Sequence, residues 1–410
     1  MIFPGVQESI WSFDPRVERW YMHRFYWHQP DLNINNPAVR DEIHKVIGFW
    51  LELGLSGFRV DAVPFLIEQT GADEAVADPH DYLRDLRAFL SRRGGDAMLL
   101  AEANEPVDKL SLFFGDQAGD QMHMLFDFIG NQALYLALVR GDARPIARAL
   151  RNRPSKPASG QWANFVRNHD ELSLDKLTDA ERQEVFAALA PDPAMRIFER
   201  GIRRRAPTML EGDRRRLELL YSLCFSLPGT PVLFYGEEIG LGDDQSLEGR
   251  QAVRTAMQWT GRPGAGFSTA PRPAIPRPPI EGGPFGYRRL NVEAQREQPN
   301  SMLNWMERLI RRRREWPEIG WGDWRLLRTG DDALLAHATE WMDGQVVAVH
   351  NLSGRPVSAT IAMPRPPDGG QWQHLVGPAS RRRPPAIADG TLELMLEPYE
   401  YHWFGRRELT

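Results

Sequence analysis

The stretch Gly57-Phe58-Arg59-Val60-Asp61-Ala62-Val63 decides the fold. Its phenylalanine and valines behind a glycine predict a short buried strand over 57–63. Side chains alternate along a strand, so Arg59 and Asp61 share one face while Phe58 and Val60 share the other. On both sides the period changes. Asn36-Pro37 opens a helix, with Asn as cap and Pro at the first helical position. Val39, Ile43, Val46, Ile47, Trp50 and Leu51 then recur at helical spacing, and Gly54 supplies the stop. Downstream, Leu83, Leu86, Phe89 and Leu90 predict a helix over 81–93, ended by Gly94-Gly95. A strand follows over 98–104, another over 164–170, a helix over 214–227 and a strand over 231–235. Strands alternating with helices at this spacing predict a parallel sheet of βα units.

Beyond that sheet the character of the chain shifts. Segments 324–328, 333–339, 345–351, 357–362, 391–396 and 401–404 read as short strands between Gly, Asp and Pro turns, which predicts a separate all-β domain. The Gly/Pro-rich region 240–299 predicts long loop. Residues 10–30 are dense in aromatics (Trp11, Phe13, Trp20, Tyr21, Phe25, Tyr26, Trp27) without a clean period, as in the interior of an inserted subdomain. The run Arg311-Arg312-Arg313-Arg314 reads as a solvated helix face, and no internal repeat is present.

Length and composition bound the rest. The chain has 410 residues, room for two or three domains, with 26% charged and 42% hydrophobic residues, an ordinary globular balance. A net charge of −5 gives no electrostatic reason to expect nucleic acid or an anionic membrane as partner. The one cysteine, Cys224, excludes an internal disulfide and reads as an inert core thiol. Met1 is not followed by a basic and then an apolar region, and no apolar run is long enough to span a membrane, so the expectation is a cytoplasmic protein. The 13 tryptophans fit sugar platforms, but large cores use them too.

Three acidic groups fall at the C-terminal ends of predicted strands: Asp61, Glu102 and Asp170, the last beside His169. Acidic groups repeated there are costly unless those ends face solvent or substrate, and β/α barrels keep their catalytic groups at such ends. For one residue alone, a structural Arg59–Asp61 salt bridge is an equal alternative. Three together weigh against it, because crowded carboxylates cost stability. Two carboxylates flanking one bond are the machinery of glycosidic cleavage, and retention of configuration needs them only about 5–5.5 Å apart. Asp61, held ionised by Arg59, is the natural nucleophile. Glu102, less compensated by cations, is the natural acid/base. Asp170 and His169 are suited to sugar hydroxyls.

At these residues the sequence resembles the α-amylase superfamily (glycoside hydrolase family 13). Gly57–Val63 resembles its nucleophile segment, Leu100-Ala-Glu-Ala-Asn104 its acid/base segment, and Phe165-Val-Arg-Asn-His-Asp170 its third-carboxylate segment. Gln29-Pro-Asp-Leu-Asn33 resembles the mark of subfamilies acting on short oligosaccharides. A closer resemblance is to the trehalose synthase (maltose α-D-glucosyltransferase) branch. It rests on 25–33, Asn168-His-Asp-Glu-Leu172, Ala190-Pro-Asp-Pro193, Gly201-Ile-Arg-Arg-Arg205, 213–220, 227–240, Val253-Arg-Thr-Ala-Met-Gln-Trp259 and Asn291-Val-Glu-Ala-Gln295.

The resemblance implies that Asp61, Glu102 and Asp170 carry the catalytic roles, with Arg59, His169 and Arg254 binding substrate. It implies no organic cofactor. It does imply a structural calcium ion on Asp31 and Glu68 with the main-chain oxygens of Phe65 and Leu66, oxygen donors suited to a hard cation. The fold it implies is a (β/α)8 barrel followed by a C-terminal all-β domain: 1–30 from the inserted subdomain B, 31–317 from the barrel, 318–410 the β-sandwich. Two departures stand out. Ala256 replaces the usual proline, and no segment of the form Asp-x-x-x-Asn-His is present, so about strands 4–8 are expected and the first three are not. The expected function is maltose–trehalose interconversion through a glucosyl-Asp61 intermediate, on small α-glucosides, with self-association of the chain left open. Region 240–299 is a lid candidate or an inert surface loop. The rivals are an α-glucosidase of the same superfamily and an inactive remnant or binding module.

Overall fold

A computed structural model describes residues 2–3, 7–68, 78–115, 118–364, 371–378, 387–388 and 390–407. The chain divides into two compact units, the first Met1–Phe128 with Asn152–Ala163, the second Ile129–Arg151 with Asn164–Thr410.

The first unit opens on an antiparallel hairpin of β1 (Trp11–Asp14) and β2 (Arg19–Met22), in which Trp11 faces Met22. Aromatic side chains on both of its faces hide the strand period, so residue patterning predicts no element there. Helix α1 (Pro37–Glu52) starts where Asn36 and Pro37 dictate, the Asn36 side chain accepting from the Ala38 amide at 3.0 Å. Of its residues only Ile47 is buried, and Val46, Phe49 and Trp50 stay exposed. Strand β3 (Gly57–Val60) follows, then α2 (Asp81–Arg93), which buries Tyr82, Leu83, Leu86 and Leu90, then β4 (Met98–Ala101). Strands β5 (Met124–Phe126) and β6 (Gln161–Phe165) continue the sheet. All neighbours pair in parallel, with Gly57 opposite Met98, Leu100 opposite Met124 and Met124 opposite Gln161. Glycine at 57 is a requirement of that pairing. Its φ is +155°, and a Cβ would lie 2.3 Å from the Met98 carbonyl oxygen.

The parallel βα sheet is therefore present, with shorter strands than the sequence predicted. β3 and β4 stop at Val60 and Ala101, leaving Asp61 and Glu102 just beyond the ladder. β6 begins three residues earlier than expected and ends at Phe165, so Asn168, His169 and Asp170 stand on a loop. Strand β5 was not legible, being three residues in length with no alternation to display.

In the second unit, α3 (Phe128–Arg140), α4 (Arg144–Asn152), α5 (Asp179–Leu189), α6 (Arg214–Ser226) and, after β7 (Thr230–Val232), α7 (Met302–Glu315) supply the helices. Helix α5 begins with a reciprocal Thr178–Glu181 capping box. Helix α6 is buried from Leu217 to Ser226. On α7 the arginine run is not uniformly solvated: Arg311 and Arg312 pair with Glu307 and Glu315, while Arg313 donates to the Gly229 oxygen at 2.6 Å.

Among the described residues two facing sheets are built from β8 (Asp323–Leu326), β9 (Leu334–Trp341), β10 (Gly344–Asn351), β11 (Val357–Ala362), β12 (Gln373–Val376), β13 (Thr391–Leu396), β14 (Tyr401–Arg406) and one further short strand. The order is β8-β9-β10-β14-β12 in one sheet, and β11-β13 with the short strand Ile387–Ala388 in the other. Val347, Val349 and Phe404 meet Val357, Ile361, Leu392 and Leu394 between them. The far side of the larger sheet is buried too, since Leu335, Val346 and Trp403 share a core with Leu219 and Leu223 of α6. Two buried faces explain why β9 and β10 read as nearly unbroken apolar runs while β11 and β13 alternate. Residues 240–299 hold only single helical turns and a small core of Ile239, Leu241, Met257 and Val292. Among the described residues no helix is long and apolar enough to cross a membrane.

Candidate active site

Asp61 follows the last residue of β3 and opens a tight turn. Ala62 takes a left-handed conformation (φ 46°, ψ 44°) and starts the single helical turn Val63–Ile67. That is an unfavourable conformation for a residue with a Cβ. It persists because the neighbouring strand end holds it: the Glu102 amide donates to the Val60 oxygen at 3.1 Å and the Val63 amide donates to the Glu102 oxygen at 3.0 Å. These two bonds extend the β3–β4 pairing by one step past the ladder and carry Asp61 and Glu102 out together. The Arg59 guanidinium then bridges them, with Nη1 2.6 Å from Asp61 Oδ1 and Nη2 on Glu102 Oε2. The Asp61 carboxylate is 69% exposed and that of Glu102 22%. The sequence assigned Arg59 to Asp61 alone. The structure gives the same cation to both acids, so Glu102 shares the compensation expected for Asp61 alone.

His169, Asp170 and Arg254 are brought together in the second unit. Asn168 Oδ1 accepts from the Asp170 amide at 3.0 Å and closes the loop. Arg254 Nε donates to the His169 oxygen and Nη2 to Asp170 Oδ1, both at 2.6 Å. A second cation, Arg250, lies 3.2 Å from the same oxygen and grips Glu171 through two bonds of 2.6 and 3.2 Å. Arg250 and Glu171 were missed in the sequence. Their signal was faint: Glu171 directly follows Asp170, and Arg250 sits four residues before Arg254. His169 Nε2 is 3.8 Å from Asp170 Oδ1 and its side chain is 44% exposed.

Of the residues expected at a metal, Asp31 and Glu68 converge on one group. The buried Arg24 side chain reaches Asp31 Oδ2 at 3.2 Å, the Glu68 carboxylate at 3.3 Å and the Glu68 main-chain oxygen at 3.1 Å. Phe65 and Leu66 lie in the adjoining turn. Among the described residues no group of three or more His, Cys, Asp or Glu side chains converges as a metal site.

The chain matches the α-amylase catalytic domain over residues 4–190 and 199–322, and it belongs to that family. Within it, the chain is 38% identical over 424 residues to the trehalose synthase/amylase TreS of Mycolicibacterium smegmatis, an alignment covering all of this chain and 70% of that protein. It is 41% identical over 396 residues to the trehalose synthase of Thermus thermophilus, covering 92% of this chain and 41% of that protein. The crystal structure of the α-amylase from H. orenii superposes with a TM-score of 0.74 at 20% identity, over 99% of this chain and 74% of that one. The likeness implies the fold of that family, a β/α barrel with a C-terminal β domain.

Proposed function

We propose that the chain serves a retaining α-glucosyl transfer that interconverts maltose and trehalose. The observation carrying this is the Arg59-bridged Asp61/Glu102 pair in a chain so similar to trehalose synthases. In the mechanism, maltose displaces Arg59 from Glu102; the released carboxylate takes a proton from solvent and gives it to the glycosidic oxygen as the C1–O bond breaks. Asp61 bonds to C1 and forms the glucosyl ester. The freed glucose turns, its anomeric hydroxyl attacks C1, and the Glu102 carboxylate takes the proton. The new bond is α-1,1 and no water is consumed. Asp170, with His169 and Arg254, is assigned to sugar hydroxyls, a grip that tightens as the ring flattens toward an oxocarbenium ion. The strands of the chain are read as the later part of the barrel, about strands 4–8. The corresponding domains are 1–30 in subdomain B, 31–317 in the barrel and 318–410 in the β domain.

The exposure of Asp61 favours a second reading, an α-glucosidase, since water reaching the ester gives glucose. Incubating the chain with maltose separates the two. Trehalose, lost in Asp61→Asn, is the expected product, and glucose alone would leave only hydrolysis.

For calcium, the oxygen donors have the right chemistry, but the Arg24 guanidinium already engages both carboxylates. We propose that Asp31, Glu68 and the Phe65 and Leu66 oxygens would hold the ion in competition with Arg24, and no step of the reaction runs through it. Calorimetric titration should show tighter calcium binding to Arg24→Gln than to the wild type; equal affinities would rule out the competition.

A further inference from the structure

Arg254 caps the single turn Gly249–Val253 with φ −108°, outside any helix or strand ladder. Irregular backbone has no ladder partners, so its buried peptide groups must find others. Here the carbonyls on both sides of Arg254 are tied. Arg205 Nε donates to the Val253 oxygen at 2.9 Å, and the Tyr235 hydroxyl donates to the Thr255 oxygen at 2.6 Å. The two ties are themselves joined, since Arg205 Nη1 donates to the Tyr235 oxygen at 2.8 Å and its guanidinium lies 4.3 and 4.9 Å from the Phe234 and Tyr235 ring centres. Asp170 is tied to the same place. Arg167 Nη2 donates to the Asp170 oxygen at 2.7 Å and Nε to the oxygen of Arg204, the residue before Arg205, at 2.9 Å.

Arg167 and Arg205 are both almost fully buried, at 2% and 1% exposure. Burying a guanidinium is costly, yet each gives two of its three nitrogens to main-chain oxygens. Glu237, 2% exposed, is the buried carboxylate whose charge acts on both. Burial raises its pKa to about 7, against the opposing pull of the Phe234 amide and of Arg205. A fork of five fixed N–H groups can hold several carbonyls at set angles, which a lysine ammonium cannot.

We propose that Arg205 and Tyr235 are positioning residues for the Arg254–Asp170 pair: they fix the main chain on either side of Arg254 so that its guanidinium meets Asp170. This rests on the glucosyl-transfer reading only for the catalytic consequence. Two measurements on the full chain test it. The first is the rate of phenylglyoxal modification of Arg254, read by peptide mass spectrometry, with Asp170→Ala as the control that removes its carboxylate partner. The second is kcat and KM on maltose. Tyr235→Phe keeps the ring on Arg205 and removes one hydrogen bond. It should raise the labelling rate and lower kcat by roughly 3- to 10-fold, with KM changed less than about twofold. In an Arg254→Met background it should leave kcat unchanged. Arg205→Lys should act in the same direction if it folds, and Tyr235→Phe carries the test if it does not. Unchanged labelling in Tyr235→Phe overturns the proposal, as does raised labelling with an unchanged kcat. A wild type inactive on maltose with labelling still raised by Tyr235→Phe sinks the glucosyl-transfer reading and leaves the positioning role standing.

Discussion

Arg59 holds both acids of the pair through one guanidinium, with Asp61 on one nitrogen and Glu102 on the other. Arg59→Met removes that bridge and leaves the two carboxyl groups with no shared cation from residue 59. kcat/KM on maltose should fall by at least ~10-fold. An unchanged kcat/KM would mean that the pair observed at rest does not persist into the working enzyme. The residues of this site were largely legible in the sequence, because Asp61 and Glu102 each follow an apolar run whose alternation sets their side. The cations were less so. Arg250 comes from a segment 79 residues beyond Glu171, and no local pattern announces such a contact.

At the scale of elements, α6 packs its buried polar side chains against the larger sheet of the sandwich. Ser222 Oγ accepts from Trp403 Nε1 and lies 2.9 Å from His350 Nε2, Glu218 accepts from the Tyr401 hydroxyl, and His337 Nε2 lies 2.9 Å from the Ser226 oxygen. Full burial lowers the pKa of His337 to about 4, so it stays neutral and donates to that oxygen. Unfolding returns it to about 6.5. Between those values the unfolded chain binds the extra proton, so stability is complete above pH 6.5 and falls as the pH drops toward 4, by roughly 3 kcal/mol from this residue. Tm should decline from pH 7 to pH 5, and His337→Gln should flatten the decline; equal Tm values at both pH values in the wild type would refute this. Strand patterning foretold β11 and β13 to the residue because one face of each meets solvent. β9 and β10 were legible as strands over 333–339 and 345–351, within two residues of their observed bounds. The hairpin β1–β2 and strand β5 were hidden, one by aromatics on both faces and the other by its length of three residues.

For the whole molecule, the proposed chemistry rests on one covalent event. Asp61 must be a nucleophile and not the structural partner of Arg59, and its 69% exposure leaves it open to attack a sugar. The chain spans 41% of the Thermus protein and 70% of the Mycolicibacterium one, so activity in the chain itself has to be measured and not borrowed. Trapping the ester does so without depending on turnover. A fluorinated donor such as 5-fluoro-α-D-glucosyl fluoride carries a good leaving group, and its fluorine slows breakdown of the intermediate. After incubation, mass spectrometry should find one fluoroglucosyl group on the peptide containing Asp61, absent in Asp61→Asn. An unlabelled chain, or a label that survives Asp61→Asn, would contradict the account.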